Sequence, residues 1–195
     1  MSYVPGKPIE SITVAAQAVR DRAAELLFRL MFREMFEFRL VQTDPNFANY
    51  LYQESSERLA LLDFGATRAY SKRVIGGYRK LFRGALNADR EQVLAGAQRI
   101  GYFDEAIRTE HREALVDLFL LACEPLAHRG TYDFERSDLP ARVREAGMAL
   151  SFEKGYWHNP PADAIFLHRK LGGMYLLGAR LRARVDLRRI VEVHL

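Results

Sequence analysis

The region from Ser11 to about Arg39 constrains the fold most, because its apolar residues recur at the spacing of an α-helix. Met31 and Phe36 widen the apolar stripe beyond one narrow face. A stripe this broad is typical of a helix that packs on several sides. The sequence therefore predicts one long helix at the centre of the domain, with the run Ala15-Ala16-Gln17-Ala18 inside it.

A turn and a β-hairpin are predicted next. Gln42-Thr43-Asp44-Pro45-Asn46 has the composition of a turn, since Pro presets φ and Asp and Asn favour turn conformations. Residues Asn49–Tyr52 and Arg58–Leu62 then read as two short strands, joined by the polar segment Gln53–Glu57. The hairpin ends at Asp63-Phe64-Gly65.

The rest of the chain has the pattern of a helical protein. The fold class predicted from the sequence is therefore mainly α with one small β-hairpin, in a single domain that covers residues 1–195. The predicted helices are Val74–Leu86, Arg90–Ile100 between an Asp89 N-cap and Gly101, a helix that begins at Thr109 and bends at Pro125, a helix that follows a Glu135–Pro140 loop and ends near Ser151, and Asp163–Arg184.

Composition narrows the function classes. Hydrophobic residues make up 49% of the 195 residues, which suits one domain with a substantial core. No apolar run approaches the roughly 20 residues of a membrane span, and no signal peptide is recognisable. The single Cys123 has apolar neighbours, which predicts a buried, unreactive thiol in a reducing compartment.

Charge gives weaker information about partners. The net charge is +4, and the basic residues are dispersed except in Arg180–Arg189, which contains five arginines. This cluster is interpreted as a solvated helix face, with contact to a membrane surface as the alternative. No nucleic-acid-binding motif accompanies the charge, so nucleic acid is not an expected partner.

Three polar residues form the candidate functional constellation. Four residues separate Asp44 from Asn49, and Asp63 lies fourteen positions beyond Asn49. Phosphoryl transfer needs metal ions, a placed acceptor and charge neutralisation. Asp44 can orient or deprotonate the acceptor, while the Asn49 amide oxygen and the Asp63 carboxylate suit Mg²⁺. Gly65 permits a sharp turn beside that metal. The alternative interpretation is two turn aspartates and a capping Asn.

Two segments around these residues resemble the UbiB/AarF family of atypical protein-kinase-like proteins. They are Val41-Gln42-Thr43-Asp44-Pro45-Asn46-Phe47-Ala48-Asn49-Tyr50 and Leu61-Leu62-Asp63-Phe64-Gly65-Ala66-Thr67-Arg68, with Gln-Thr-Asp where protein kinases have His-Arg-Asp. Phe36-Glu37-Phe38 and Leu167-His168-Arg169-Lys170-Leu171-Gly172-Gly173 are similar to the branch that supports ubiquinone biosynthesis.

The resemblance implies the large, C-terminal lobe of a kinase or ATPase that uses ATP and Mg²⁺ in ubiquinone (prenylquinone) biosynthesis. It gives Asp44 the catalytic role, Asn49 and Asp63 the metal, and Asn49, Asp63 and Gly65 contacts to the bound cofactor. The implied partners are a nucleotide, a prenylquinone intermediate and an anionic membrane surface. The implied location is the cytoplasm, peripheral to the inner membrane, in a bacterium, or the matrix side of the inner membrane in mitochondria.

One part of the kinase pattern is missing. No Gly-rich loop, strand lysine or partner helix glutamate precedes Asp44, and Met1–Gly6 resembles the crossing between the two lobes. The chain is therefore expected to lack the small, N-terminal lobe and to be incomplete alone, with the missing lobe or a second copy as partner. The expected division is a hinge-like start at 1–10, the long helix at 11–39, the catalytic loop, hairpin and Asp-Phe-Gly at 40–68, and a helical region at 69–195.

Two other functions stay open at this point. One is a non-enzymatic interaction protein built on a free-standing lobe, and the other is a small-molecule phosphotransferase, which the Gln-Thr-Asp wording disfavours. Among the remaining motifs, Arg68 is a candidate phosphate contact and His168 is interpreted as a packing or hydrogen-bonding residue. Gly172-Gly173 and Gly178 are expected to permit close helix packing, and Tyr156-Trp157-His158 is read as a packed loop or an interfacial anchor.

Overall fold

The computed structural model describes residues 4–103, 107–153 and 160–195, with the backbone alone at 152 and 153. The motif Tyr156-Trp157-His158 and the first three residues of the hinge-like start lie outside the described residues. The α-helices are α1 (Gln17–Arg33), α2 (Lys72–Leu86), α3 (Arg90–Ile100), α4 (Thr109–Ala122), α5 (Glu124–Ala127), α6 (Leu139–Met148), α7 (Ala162–Arg180) and α8 (Leu187–Glu192).

Short antiparallel strands complete the fold. Because the strands are short and helices predominate, the predicted mainly α lobe is confirmed. The predicted hairpin is present, with Tyr50 opposite Leu61 and Gln53 opposite Arg58. Further strand pairs of two or three residues were not predicted, since such short strands leave no alternating pattern in the sequence. The strands are β1 (Lys7–Pro8), β2 (Leu40–Gln42), β3 (Tyr50–Gln53), β4 (Arg58–Leu61), β5 (Thr67–Ala69), β6 (Tyr132–Asp133) and β7 (Arg184–Val185), and they pair in the orders β1-β3-β4, β2-β5 and β6-β7.

The prediction of one continuous helix from Ser11 to Arg39 is wrong at both ends. A 3₁₀ helix covers Ile9–Val14, the backbone is then extended, and α1 begins only at Gln17. The side chain of Val14 is 91% exposed, so its apolar character extended the apparent periodicity without contributing to the core. At the other end, α1 runs into a π-helical turn over Glu34–Phe38 that ends at Arg39, whose φ of 53° is left-handed. In the alanine-rich run from 15 to 18, Ala15 and Ala16 therefore precede α1, and Gln17 and Ala18 are its first two residues.

Helix ends were predicted best where capping residues mark them. α3 has its predicted bounds, because the Gln92 amide donates to Asp89 Oδ1 at 3.0 Å and Gly101 has a φ of 108°. α6 begins at Leu139, so the predicted loop through Pro140 is too long; proline is tolerated in the first helical turn.

The last helix is shorter than predicted. α7 ends at Arg180, and Arg182 has a left-handed φ of 48°. β7 and α8 follow, and the Arg189 amide donates to Asp186 Oδ1 at 3.0 Å as an N-cap of α8. The run of arginines looked like a continuation of the helix because Arg is a good helix former, and the break is set by tertiary pairing of β7 with β6.

The core joins α1, α2 and α7, through fully buried residues such as Phe32, Tyr78 and Met174. None of the described helices is both long and apolar enough to cross a membrane. α2 and α3 contact each other closely through small residues. A Cβ atom built on Gly96 would lie 2.6 Å from the Leu81 amide nitrogen and 2.8 Å from the Gly77 carbonyl oxygen, so the two backbones touch there.

We expect Gly96→Ala to destabilise the protein by about 1–3 kcal/mol, because the new methyl group meets rigid backbone and the two helices must separate. Urea denaturation of both proteins measures the difference. Gly147→Ala is the matched control, since nothing lies within 4 Å of a Cβ on Gly147 in α6. It should raise stability by about 0.4–1 kcal/mol through helix propensity. Equal effects at the two positions would contradict the close α2–α3 contact.

Candidate active site

The loop from Gln42 to Asn49, called the catalytic loop from here on, is attached to the segment that follows Asp63. β2 pairs with β5 so that Gln42 lies opposite Thr67. Directly after β2, the Thr43 amide and hydroxyl both donate to the carbonyl oxygen of Ala66, at 3.0 and 2.7 Å. The two halves of the sequence constellation are therefore fixed to each other by backbone pairing.

Asn49 links the two halves a second time. Its side-chain Nδ2 donates to the carbonyl oxygen of Asp44 at 3.2 Å, and its own carbonyl oxygen accepts from the Leu62 amide at 3.1 Å. Asn49 and Asp63 line the same small cleft. The other residues of this cleft are Glu34, Gln42, Tyr50, Leu61 and Phe64.

The cleft can supply oxygen ligands to a cation. Asn49 uses its Nδ2 for Asp44, which leaves Oδ1 without a hydrogen bond among the described residues. Asp63 Oδ1 accepts a hydrogen bond from the Gly65 amide at 2.7 Å, which leaves Asp63 Oδ2 without a hydrogen bond among the described residues. One amide and one carboxylate oxygen fit Mg²⁺, which keeps several waters and takes phosphate oxygens as further ligands. Within the described ranges, no three His, Cys, Asp or Glu side chains are grouped as a metal site.

Gly65 contributes in a different way from the one expected. Its φ is not positive, so it does not use the conformational freedom of glycine to turn the chain. A Cβ atom at this position would instead lie 3.1 Å from Asp63 Oδ1. The absence of a side chain therefore lets the Gly65 amide approach and orient the carboxylate of Asp63.

Asp44 faces helix α7 and does not line the cleft. Its Oδ1 accepts a hydrogen bond from Arg169 at 2.6 Å, in an ion pair that leaves the Asp44 side chain 31% exposed. The Asp44 amide donates to Gln42 Oε1 at 3.2 Å, which fixes the turn from inside the catalytic loop. The structure thus places Asp44 beside Asn49 but directs its carboxylate towards the guanidinium of Arg169, a partner that the sequence did not identify.

Helix α7 also packs directly on the catalytic loop. A Cβ atom at Gly173 would lie 2.0 Å from Pro45 Cγ, so only glycine allows this contact. A Cβ at Gly178 would meet the Phe134 ring at 3.0 Å, whereas a Cβ at Gly172 would have open space around it. The expected role in close packing is confirmed for Gly173 and Gly178 and is wrong for Gly172.

A buried ion pair connects α7 to the floor of the cleft. Lys170 is 1% exposed, and its Nζ lies 3.1 Å from Glu34 Oε2 and 3.3 Å from the Tyr50 hydroxyl. Burial raises the pKa of the Glu34 carboxyl, and the Lys170 cation opposes that shift without cancelling it. Sequence reasoning missed both residues. The available signal was the position of Lys170 on the same helical face as Leu167 and Met174, where a charge is out of place.

Other candidate residues have structural roles. Arg68 pairs with Asp163 at 3.4 Å and stacks on the Phe166 ring at 4.2 Å, so its guanidinium interacts with α7 and does not line the cleft. His168 is hydrogen-bonded to the Tyr102 hydroxyl, and burial lowers its pKa to about 4, which confirms the packing role. Cys123 is buried and its pKa is raised to about 12, as expected of an unreactive thiol.

Comparison with known proteins gives consistent matches. Residues 1–97 match the ABC1 atypical kinase-like domain. The chain is 34% identical to the mitochondrial atypical kinase COQ8B of Rattus norvegicus over 98% of its own length and 36% of the relative. For mitochondrial COQ8 of Saccharomyces cerevisiae the identity is 33%, over 95% of this chain and 37% of the relative. For mitochondrial coq-8 of Caenorhabditis elegans the identity is 32%, over 94% of this chain and 24% of the relative. The chain thus spans about a quarter to two fifths of the length of these relatives.

A solved structure agrees with the fold. The Rv3197–erythromycin complex from Mycobacterium tuberculosis superposes on the whole of this chain with a TM-score of 0.71, and the match covers 48% of that protein. The sequence identity is 16%, so this likeness concerns the fold alone.

We expect Lys170→Met to destabilise the protein by about 3–5 kcal/mol at neutral pH, because it leaves the Glu34 carboxylate buried without a cation. Thermal or urea unfolding measures the loss. The loss should shrink as the pH is lowered from neutral, because the buried Glu34 carboxyl then takes up a proton. A carboxyl whose folded pKa is raised binds more protons when folded, so its contribution to stability is present at low pH and declines as the pH rises through the folded pKa.

The double variant Glu34→Gln with Lys170→Met is the control for this interpretation. Without the carboxyl, the pH dependence of the destabilisation should disappear. A Lys170→Met protein whose destabilisation is the same at neutral and at lower pH would contradict the assignment of Glu34 as the titrating partner.

Proposed function

We propose that this chain, which belongs to the ABC1 atypical kinase-like family, acts as the large lobe of a phosphotransferase or ATPase that depends on ATP and Mg²⁺. The observation that carries the proposal is the cleft where Asn49 and Asp63 present unpaired oxygen atoms beside the loop that holds Asp44. Phosphoryl transfer is catalysed mainly by positioning and charge neutralisation, and these are the tasks that such residues can perform.

The roles follow from the contacts of each residue. Asn49 and Asp63 would hold Mg²⁺, which when bound neutralises charge on phosphate oxygens. The Gly65 amide orients the Asp63 carboxylate. Asp44 would accept the hydroxyl or water proton of the attacking group through Oδ2, because Oδ1 is occupied by Arg169. Arg169 is therefore a positioning residue for Asp44.

A nucleotide held at Asn49 and Asp63 would need phosphate contacts beyond those two residues. In kinases a strand lysine and a Gly-rich loop supply such contacts to the phosphates. Leu62 and Phe64 flank Asp63 and are 43% and 61% exposed, so two apolar side chains meet solvent beside the cleft. We propose that a nucleotide-binding lobe, or a second copy of the chain, covers this surface in the working assembly.

A non-enzymatic interaction protein is the second candidate function. The same exposed residues, Leu62 and Phe64, favour it, because exposed apolar side chains can contact a partner protein whether or not a nucleotide binds. The two functions differ in their dependence on the oxygen ligands of the cleft, since only the enzymatic function requires Asp63.

The biological setting is inferred from the relatives, several of which are mitochondrial atypical kinases. We propose a role in ubiquinone (prenylquinone) biosynthesis, with a prenylquinone intermediate as a partner, on the matrix side of the inner membrane or at the cytoplasmic face of a bacterial one. The arginines of 180–189 are weak candidates for the membrane contact. Arg182, Arg184, Arg188 and Arg189 all form ion pairs within the chain.

Binding of Mn²⁺ as a paramagnetic substitute for Mg²⁺ tests the metal site on the chain itself, by electron paramagnetic resonance. We expect Asp63→Asn to weaken Mn²⁺ binding roughly tenfold or more, because it removes the carboxylate ligand. Adding ATP should tighten Mn²⁺ binding to the unsubstituted protein, since the phosphate oxygens complete the coordination of the metal.

Asp117→Asn is the matched control, since Asp117 is an exposed aspartate of α4 whose ion pair with Arg90 contributes at most about 1 kcal/mol to stability. It should leave Mn²⁺ binding unchanged. If Asp63→Asn leaves Mn²⁺ binding unchanged, as Asp117→Asn does, while Leu62 and Phe64 still bind a partner protein, the enzymatic function fails. The interaction protein is then supported.

A further inference from the structure

A cavity of about 520 Å³ opens beside another face of α7, away from the catalytic loop. Arg169 and Gly173 contact the catalytic loop and Lys170 pairs with Glu34, whereas His168, Leu171 and Tyr175 line the cavity. The remaining walls come from α1, α2, α4, α5, α6 and α8 and from the segment around Phe134. Pockets that bind small ligands have volumes of roughly 300–1,000 Å³, so the cavity is large enough for one.

The walls are almost entirely hydrocarbon. Phe32, Phe82 and Leu126 are typical wall residues. The polar groups of Tyr78 and His168 are both hydrogen-bonded to the Tyr102 hydroxyl, so they do not need a hydrogen bond from a ligand. His168 is neutral near pH 7, since burial lowers its pKa to about 4. An occupant must therefore be apolar over most of its length.

One polar atom within the wall lacks a partner. The hydroxyl of Tyr175 is buried and has no hydrogen bond among the described residues. Burying a hydroxyl without a hydrogen bond costs about 1–3 kcal/mol, so such atoms are uncommon in a finished structure. A polar atom of a ligand, or a water, within hydrogen-bonding distance of this hydroxyl would satisfy it.

The opening of the cavity carries a positive charge. Pro140, Arg144, Gly172 and Leu176 line the cavity and are solvent-exposed, so they lie at its mouth between α6 and α7. Arg144 has no ion-pair partner in the part of the chain that the structure describes, unlike Arg142 two residues earlier, which pairs with Glu124 and Asp138. An unpaired guanidinium at the mouth of an apolar cavity favours an anionic group at that point.

We propose that this cavity binds a single-chain amphiphile, with its hydrocarbon chain between α1, α2 and α7 and its anionic head group at Arg144. The apolar wall selects the hydrocarbon chain, and the Arg144 guanidinium at the mouth selects the charge of the head group. The site is separate from the Asn49–Asp63 cleft, so this proposal stands or falls independently of the metal and nucleotide chemistry proposed above.

Gly172 offers a direct test. A Cβ at Gly172 would have no heavy atom within 4 Å, and the residue lies at the mouth, so Gly172→Leu should obstruct entry without disturbing the packing of α7. Gly147→Leu is the matched control, because Gly147 is also helical with open space at Cβ and does not line the cavity. Both changes replace the same residue type and raise helix propensity alike.

Isothermal titration calorimetry with sodium dodecanoate, below its micelle concentration, measures binding. We expect saturable one-to-one binding by the unsubstituted chain, roughly tenfold weaker binding by Gly172→Leu and unchanged binding by Gly147→Leu. Arg144→Gln should weaken the binding of dodecanoate by a similar factor while leaving that of dodecanol unchanged.

Three results would overturn the proposal. They are no saturable binding by the unsubstituted chain, equal effects of Gly172→Leu and Gly147→Leu, and undiminished dodecanoate binding by Arg144→Gln. The second would identify nonspecific association of the surfactant, and the third would remove the anionic head group. Arg144 is exposed, so its variant keeps the test decisive if Gly172→Leu fails to fold.

Discussion

The buried ion pair between Lys170 and Glu34 is the interaction on which the geometry of the candidate active site depends. Two charges removed from water are costly unless they are close together and have further polar contacts. Here the Tyr50 hydroxyl supplies such a contact, and Tyr50 begins the strand that follows Asn49. The pair therefore holds together three elements that are distant in sequence: the end of α1, the start of β3 and the middle of α7.

The π-helical turn that follows α1 has a place in this arrangement. Glu34 is the first residue of that turn, and it lies both in the wall of the cleft and beside Lys170. π-Helical turns inside α-helices are rare and occur often at functional sites, because they redirect side chains. The buried position of Lys170 places its neighbour Arg169 within hydrogen-bonding distance of Asp44. The burial of this lysine therefore determines the direction of the candidate catalytic carboxylate.

The sequence predicted what is encoded locally. The hairpin was recognisable from two short apolar strands around a polar loop, and α3 from Asp89 and Gly101 at its ends. The oxygen ligands Asn49 and Asp63 were recognisable from spacing and motif, and the structure places them in one cleft. These features need no knowledge of distant parts of the chain.

Features set by tertiary contacts were not predicted. Arg169 lies 125 residues from Asp44, and no local pattern marks the two as partners. The start of α1 was misplaced because Val14 fits the helical period although it is exposed, and the end of α7 because arginine favours a helix that tertiary pairing interrupts. Periodicity reports which residues could share a face, whereas burial and partner choice depend on what packs against that face.

The contact between Pro45 and Gly173 has a consequence for the history of the fold. The two positions have room for one ring and no second side chain, because a Cβ on residue 173 would overlap the proline. A Cβ at position 173 would also lie 2.6 Å from Pro45 Cβ, so a lineage that gains a side chain there must have glycine at position 45 or lift α7 away from the loop. Lifting α7 would also pull Lys170 from Glu34. Positions 45 and 173 should therefore evolve as a coupled pair across related sequences, as a record of how tightly the helix and the loop are joined.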